Sequence, residues 1–304
     1  MKLSGVFVAP VTPLDSGGRL DLAAFELLLD FLLEQGIDGL CIGGATSEYP
    51  HFDLQERKEL ISRAVRKSEG KAIVLAAVGA SCLERVRELG RHAAREGCAA
   101  ILLPMPHFFR YEQEDLEAFC REVCSSVSLP CLLYNLPDFT NPLHLTTSMR
   151  LLRQIPNLVG IKDSSGRLEA LPKLTEIAHE KEVTLLIGSD DLLFQALTAG
   201  WDGVISGSAN LCPELVVREY QSFRAGDLES AQYCQQLLDA LGDQFRHLPV
   251  PWGIRAGLEV RGFSTGHLAL PLSPSRRKQI ETFQSWFANW LERHLPYIVE
   301  VQKN

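Results

Sequence analysis

The sequence predicts an α/β fold, a (β/α)8 TIM barrel with a C-terminal helical extension. Short apolar segments typical of buried parallel strands alternate with amphipathic helical segments at a spacing of about 25 to 30 residues. A doubly wound open sheet is the competing fold, but the GxGxxG fingerprint that it often carries is missing after the first strand. We therefore predict a catalytic barrel over residues 1–211 and a helical region over residues 212–304 packed on it.

The individual elements follow from local patterns. Asp21 and Ser81 precede amphipathic segments and are predicted helix N-caps. Beyond residue 211 the apolar spacing is helical throughout, over residues 213–224, 227–245, 251–260 and 275–291. The predicted strands are residues 5–12, 39–42, 72–78, 99–103, 131–134, 158–162, 183–187 and 203–205.

Composition excludes several classes of function. The 304 residues carry a net charge of -8, which argues against nucleic acid or an anionic membrane as the main partner. We expect neither a membrane span nor a signal peptide, because no apolar run is long enough. The 8 cysteines form no CxxC pair, which indicates reduced thiols in a cytoplasmic protein. No metal site is expected, because the sequence contains neither HExxH nor clustered His and Cys residues.

The segment 158–166 joins a buried strand to a Gly/Ser turn and carries Lys162 where the strand emerges. A buried ammonium without a partner is costly, so this lysine must be paired, reach water or lose its proton. A lysine without its proton is a nucleophile for carbonyl carbon, which is the chemistry of Schiff-base enzymes. The alternative is a lysine that merely reaches water at the end of the strand.

Unusual residues follow several other strands, and the carboxyl ends of all barrel strands meet at one mouth. The loop 43–48 offers backbone N–H groups and two hydroxyls that suit a carboxylate or phosphate, unless it is an ordinary glycine turn. Tyr134 ends the fifth strand, where a phenol could move protons beside an imine or simply belong to the core. Polar residues also follow strands seven and eight, at 188–191 and 206–210.

Four motifs are informative when they are taken together. Gly-Ile-Lys-Asp-Ser-Ser-Gly stands at 160–166, Tyr-Asn-Leu-Pro at 134–137, Gly-Gly-Ala-Thr-Ser-Glu at 43–48 and Gly-Val-Ile-Ser-Gly-Ser-Ala-Asn at 203–210. They resemble, in that order, the Schiff-base lysine, catalytic tyrosine, carboxylate-binding and strand-eight motifs of the dihydrodipicolinate synthase/N-acetylneuraminate lyase family of pyruvate-dependent class I aldolases. The resemblance covers nearly the whole chain and implies a homo-oligomer, a dimer or tetramer.

The resemblance also implies a mechanism. Neutral Lys162 attacks the ketone of pyruvate or another 2-oxo acid, and the protonated imine acts as an electron sink while Tyr134 moves protons. Neither a metal nor an organic cofactor is implied, and the partners are small molecules, pyruvate and an aldehyde. The substrate-binding residues implied are Ala45, Thr46, Ser47, Ser164, Gly188, Asp190, Asp191, Ile205 and Ser208.

The chain departs from the synthase branch of that family in three places. Ala45 stands where the synthases have a second threonine, and Phe108 lies where they have a relay tyrosine. Phe139 lies where they have an arginine that holds the carboxylate of the aldehyde. Because a missing cation removes a charge-assisted hydrogen bond to that carboxylate, aspartate semialdehyde is a poor candidate substrate.

Polar groups favour a different substrate. In the sialic acid lyase branch the positions of Ser164, Asp190 and Asp191 contact a polyhydroxylated chain, and carboxylates accept hydrogen bonds from sugar hydroxyls. Asp190 alternatively only caps the following helix. The segment 48–52 is similar to the 4-hydroxy-2-oxoglutarate aldolase branch. The favoured function is a Schiff-base lyase that cleaves a 2-keto-3-deoxy sugar acid, or a similar 4-hydroxy-2-oxo acid, to pyruvate and an aldehyde.

Three alternatives stay open. A 4-hydroxy-tetrahydrodipicolinate synthase would condense pyruvate with aspartate semialdehyde. A keto-deoxy sugar acid dehydratase would use the same imine but release water and no pyruvate. A non-catalytic binding module on the same scaffold would fit the loss of relay residues at Ala45 and Phe108, although the retention of Lys162 and Tyr134 weighs against it.

Overall fold

Eight parallel strands close into a barrel in the computed structural model, which describes residues 2–268 and 270–300. Each strand pairs with its neighbour in the chain, and β8 pairs with β1 to close the ring. The predicted TIM barrel is therefore confirmed. The strands are β1 (Gly5–Val8), β2 (Gly39–Ile42), β3 (Ile73–Ala77), β4 (Ala100–Pro104), β5 (Cys131–Asn135), β6 (Leu158–Asp163), β7 (Thr184–Ile187) and β8 (Gly203–Ser206).

Helices follow the strands in alternation around the barrel. Short 3₁₀ turns stand at Tyr49–His51, Asp190–Leu192 and Ser208–Asn210. The helices are α1 (Leu22–Leu33), α2 (Leu54–Ser68), α3 (Leu83–Glu96), α4 (Gln113–Ser126), α5 (Leu145–Gln154), α6 (Ala170–Glu180), α7 (Leu193–Thr198), α8 (Pro213–Ala225), α9 (Leu228–Phe245), α10 (Trp252–Val260) and α11 (Pro274–Glu300).

Of three local predictions, one is confirmed and two need correction. The cap at Asp21 is confirmed, since its carboxylate accepts the Ala24 N–H at 2.9 Å. The cap at Ser81 is wrong, because the N-cap of α3 is Cys82, whose side chain makes no capping bond. Strand β1 ends at Val8 rather than at residue 12, because the prolines that follow have no N–H to donate to the ladder.

Two apolar layers explain the continuous apolar runs of the strands. Alternate strand residues point into the barrel or outward against the helices, so both faces are buried. The interior layer ends at the mouth with Tyr134, which lies opposite Lys162 in the β5–β6 register. Its other members include Phe7, Cys41, Leu75, Leu102, Leu132, Leu186 and Ile205.

The chain beyond β8 consists of helices α8–α11, as the apolar spacing predicts. Helix α8 packs on α9 and on β1, and α10 packs on α11. The division at residue 211 stays a prediction. No helix within the described residues is long and apolar enough to cross a membrane.

The cysteines carry no disulfide. All 8 are free, and only Cys82 is exposed. Over residues 2–268 and 270–300 no group of His, Cys, Asp and Glu side chains is arranged to hold a metal ion.

Candidate active site

Lys162 and Tyr134 meet at the carboxyl ends of neighbouring strands. The Lys162 Nζ lies 3.2 Å from the Tyr134 hydroxyl and donates a hydrogen bond to it. The same Nζ lies 4.3 Å from the centre of the Tyr134 ring. Both side chains are buried, with relative exposures of 5% and 3%. Lys162 therefore does not simply reach water at the end of its strand, and the lysine–tyrosine pair predicted from the motifs is present.

The floor beneath this pair is apolar. Ile205 and Cys41 belong to the interior layer of the barrel and are buried. Burial raises the pKa of the Cys41 thiol to about 11, an effect that the charge of Lys162 partly opposes. The thiol therefore stays protonated near neutral pH and is not a competing nucleophile.

The loop 43–48 lies against the loop that follows β8. A Cβ atom added to Gly207 would lie 3.5 Å from the Thr46 hydroxyl oxygen, so the two loops are in contact. The Ser47 hydroxyl donates to the Pro10 carbonyl at 2.7 Å, and the Thr12 hydroxyl donates to the Ser47 carbonyl at 3.1 Å. Ser47 thus ties the loop to the segment after β1. A direct contact of Ser47 with substrate stays a prediction.

The end of this loop is held by a buried ion pair that the sequence analysis missed. Glu48 adopts a left-handed conformation with φ of 53°. Its carboxylate accepts a hydrogen bond at 2.7 Å from Arg255 of α10, and both side chains are buried. Arg255 also donates to the carbonyls of Thr265 and His267. Because the partners are 207 residues apart, no local pattern could have indicated this pair.

Gly188, directly after β7, allows Lys162 and Ser164 to approach the chain closely. A Cβ atom at Gly188 would lie 2.6 Å from the Lys162 Cε and 1.9 Å from the Ser164 hydroxyl oxygen. That hydroxyl is buried and has no hydrogen-bond partner in the part of the chain that the structure describes. A buried polar atom without a partner beside the lysine suits a contact with bound substrate.

Asp190 bridges two loops at the mouth instead of capping the following helix. One carboxylate oxygen of Asp190 accepts a hydrogen bond from the Ser208 N–H at 2.9 Å. The backbone carbonyl of Asp190 accepts a hydrogen bond from the Gln235 side chain at 3.0 Å. The other carboxylate oxygen is buried and finds no partner among the described residues. Helix α7 has Leu192 at its N-cap, so the alternative of a simple capping role is wrong. Asp191 is exposed.

The comparisons with known proteins agree with this geometry. The family model described as the dihydrodipicolinate synthetase family matches residues 2–288. The chain belongs to this family. The 4-hydroxy-tetrahydrodipicolinate synthase of Nitrosospira multiformis is 34% identical over 289 residues, which cover 93% of this chain and 94% of that protein. The synthase of Oceanobacillus iheyensis is 30% identical over 287 residues, or 94% and 96% of the two chains.

Solved structures of the dihydrodipicolinate synthetase family share the whole fold. The 4-hydroxy-tetrahydrodipicolinate synthase of Methylacidiphilum fumariolicum SolV superposes with a TM-score of 0.89 at 28% identity, covering 98% of this chain and 99% of that one. YagE, a prophage protein of the dihydrodipicolinic acid synthase family from E. coli K12 solved in complex with pyruvate, has a TM-score of 0.88 at 27% identity, with 95% and 98% covered.

Membership in the dihydrodipicolinate synthetase family confirms the predicted family of Schiff-base, pyruvate-dependent enzymes with lyase-type activity. The relatives are named as synthases, so they favour the synthase alternative over the sugar-acid lyase that the sequence analysis preferred. A closer relation to the lyase branches is not supported. The roles of the individual site residues stay predictions.

Gly188→Ala is expected to lower kcat/KM by about 100-fold. The added methyl group would overlap the Lys162 Cε and the Ser164 hydroxyl and would push both side chains out of position. Steady-state kinetics with a circular-dichroism melting curve would measure this. Gly242→Ala in α9 is the matched control, since the nearest atom to a Cβ there would be a guanidinium nitrogen of Arg246 at 4.0 Å. Equal activity of the Gly188 variant and the wild type would contradict the assigned crowding.

Proposed function

We propose that the chain is a pyruvate-dependent class I aldolase that works through an imine on Lys162. The observation that carries this proposal is the buried contact of 3.2 Å between the Lys162 Nζ and the Tyr134 hydroxyl at the barrel mouth. A nucleophile within hydrogen-bond reach of a proton donor and acceptor is the arrangement that covalent catalysis needs. We further propose that no metal or organic cofactor takes part.

The chemistry follows from this pair. The neutral amine of Lys162 adds to the ketone carbon of pyruvate and forms a carbinolamine. Tyr134 donates a proton to the carbinolamine oxygen, which leaves as water as the C=N bond forms. The positive imine then withdraws electrons from the adjacent carbon and stabilises the carbanion equivalent that makes or breaks the carbon–carbon bond.

The loop 43–48 is proposed to hold the pyruvate carboxylate. Backbone N–H groups of Ala45 and Thr46, with the Thr46 hydroxyl, would donate hydrogen bonds to the carboxylate, because successive amides form a positive concavity. Thr46 is largely buried, and its hydroxyl lies beside Gly207 of the loop after β8. The hydrogen bond from Ser47 to Pro10 and the ion pair of Glu48 keep this loop in place.

For the second substrate, the relatives make the synthase reaction the first candidate. The relatives from Oceanobacillus iheyensis and Nitrosospira multiformis, which match over nine-tenths of the chain, are named 4-hydroxy-tetrahydrodipicolinate synthase. By that analogy pyruvate would condense with aspartate semialdehyde on Lys162. Phe139 is half exposed where the resemblance places a carboxylate-binding arginine, so we expect weak binding of that aldehyde.

A sugar-acid reaction is the second candidate, because of two unpaired polar atoms at the mouth. The Ser164 hydroxyl oxygen and one oxygen of the Asp190 carboxylate are buried and without partners among the described residues. Hydroxyl groups of a 2-keto-3-deoxy sugar acid would supply the missing hydrogen bonds. Cleavage would release pyruvate and an aldehyde, whereas dehydration would release only water.

Borohydride trapping tests the proposed imine. The protein is incubated with pyruvate and sodium borohydride, and its intact mass and modified peptide are then determined. We expect one reduced pyruvate group on Lys162. Parallel assays would follow pyruvate consumption with aspartate semialdehyde and pyruvate release from keto-deoxy sugar acids. A folded protein that gains no adduct would refute the proposed mechanism.

We propose that the chain forms a homo-oligomer through aromatic side chains at the mouth. Phe108 and Phe109 are 88% and 64% exposed, and exposed apolar side chains of this size commonly mark association surfaces. Phe108→Asn is expected to shift sedimentation velocity toward smaller species, and asparagine tolerates the positive φ of 77° at this position. Leu228→Asn on α9 is the control. An unchanged sedimentation profile would contradict this interface.

A further inference from the structure

Imine formation consumes protons, and Tyr134 alone cannot keep supplying them. Making a protonated imine from a neutral amine and a ketone consumes one proton for each water released. The Tyr134 phenol carries a single proton and is only 3% exposed, so a neighbouring group must replace that proton as the carbinolamine oxygen takes it. At the positions of Ala45 and Phe108 the chain has side chains that cannot carry a proton.

Tyr49 and His107 form a hydrogen-bonded pair that the proposed mechanism has not used. The Tyr49 hydroxyl lies 3.2 Å from the Nδ1 of His107, and the two rings meet nearly edge to face. Tyr49 is buried, whereas His107 is half-buried. Both line a pocket of about 430 Å³ on the outside of the barrel mouth, so the pair reaches from the interior to a solvent-filled space.

The interior end of this pair lies beside β4, the strand next to the one that carries Tyr134. A Cβ atom at Gly79 would lie 3.1 Å from the Tyr49 hydroxyl and 2.5 Å from the side chain of Pro104. Pro104 is the residue paired with Tyr134 across the β4–β5 ladder. Burial raises the pKa of Tyr49, the charge of Arg57 opposes this, and the nearby Tyr134 phenol raises it further.

Arg57 holds Tyr49 in this position. Its guanidinium lies 4.9 Å from the centre of the Tyr49 ring and donates to the carbonyls of Gly79 at 2.6 Å and Ala77 at 3.0 Å. Burial and the charge of Arg57 also lower the pKa of His107. A neutral imidazole has one N–H donor and one acceptor nitrogen, which is the form that can pass a proton along.

We propose that Tyr49 and His107 form a proton relay that reprotonates Tyr134 from the solvent of the outer pocket. As Tyr134 gives its proton to the carbinolamine oxygen, Tyr49 passes its own proton to Tyr134 through a bridging water, and His107 passes its Nδ1 proton to the Tyr49 oxygen while it takes up a solvent proton at Nε2. His107 then carries its proton on Nε2 and returns to the Nδ1-protonated form by exchange with solvent. No electrons are transferred, and the proton gained by the imine equals the one taken from solvent.

Tyr49→Phe tests the relay, which rests on the proposed imine chemistry. The substitution keeps the ring over Arg57 and removes only the hydroxyl. Samples quenched with borohydride at increasing times after pyruvate addition give the rate of imine formation. We expect that rate to fall by about 100-fold, the lower end of the range for acid–base groups, while the final extent of adduct and the pyruvate concentration for half-maximal rate stay unchanged.

His107→Ala supplies a second, independent test. We expect a similar fall in rate, reversed by added imidazole, because the outer pocket is open to small molecules; Tyr49→Phe should not respond to imidazole. Tyr111→Phe, in an exposed neighbouring segment, is the matched control and should match the wild type. Melting curves identify any variant that has lost its fold.

The outcomes separate the relay from the function on which it rests. No adduct in the wild type would refute the proposed imine. A normal wild-type adduct with an unchanged rate in Tyr49→Phe would overturn the relay and show that protons reach Tyr134 through the substrate mouth. A slow His107→Ala that imidazole does not rescue would also overturn the relay, because a purely structural histidine would behave in that way.

Discussion

Lys162→Ala is expected to abolish the borohydride-trapped pyruvate adduct and to lower kcat by about 10⁴-fold or more, the scale seen when a covalent nucleophile is removed. The lysine is buried beside Tyr134, and an alanine leaves no amine to form the imine. Intact-mass measurement after trapping gives the adduct, and steady-state assay of pyruvate turnover gives kcat.

Lys173→Ala is the matched control for the loss of Lys162. Lys173 is an exposed lysine of α6, the helix that follows the β6 strand carrying Lys162. Its removal should leave both the adduct and the turnover unchanged. An adduct of full yield in Lys162→Ala, mapped to another lysine, would contradict the assignment of the nucleophile.

Tyr134→Phe is expected to lower kcat by roughly 10² to 10⁴-fold with little change in KM for pyruvate. The phenylalanine keeps the ring that lies 4.3 Å from the Lys162 Nζ and removes the hydroxyl that accepts from it. The apolar packing is thereby preserved, and the proton donor for departure of the carbinolamine oxygen is lost. Slow accumulation of the trapped adduct would locate the defect in imine formation.

A double variant tests whether Tyr49 and Tyr134 act in the same proton transfer. Tyr49→Phe and Tyr134→Phe should together slow imine formation no more than Tyr134→Phe alone, because both groups serve the same proton transfer. A double variant whose losses add fully would show that the two phenols act independently. A Tyr134→Phe enzyme with unchanged kcat would remove the tyrosine from the proposed mechanism.

Much of the active site can be predicted from the sequence, because its reactive side chains lie at the ends of strands. A buried strand followed by a Gly/Ser turn places Lys162 at the barrel mouth, and the register of β5 and β6 sets Tyr134 beside it. Such predictions succeed because strand period and barrel topology are local and repetitive properties.

The sequence did not predict the side-chain pairs that join distant segments. Tyr49 and His107 are 58 residues apart, and Asp190 and Ser208 are 18 apart, so their contacts depend on how neighbouring loops lie over the barrel. Ser81 failed as a cap because a single-residue shift in the start of α3 places its side chain outside the first turn. The sequence-based preference for a lyase over a synthase depended on a few residues at the barrel mouth. Similarity to the synthases over nearly the whole chain outweighs that preference.

The ion pair between Glu48 and Arg255 limits how this enzyme can be recombined with its relatives. It ties the loop at the mouth to α10, which lies beyond the predicted barrel segment. In a chimaera that joins residues 1–211 of this chain to a foreign C-terminal segment, Glu48 would lose its cation and become a buried unpaired charge. Productive crossovers must therefore inherit both residues from one parent or exchange them as a pair, so the helical region is no interchangeable module.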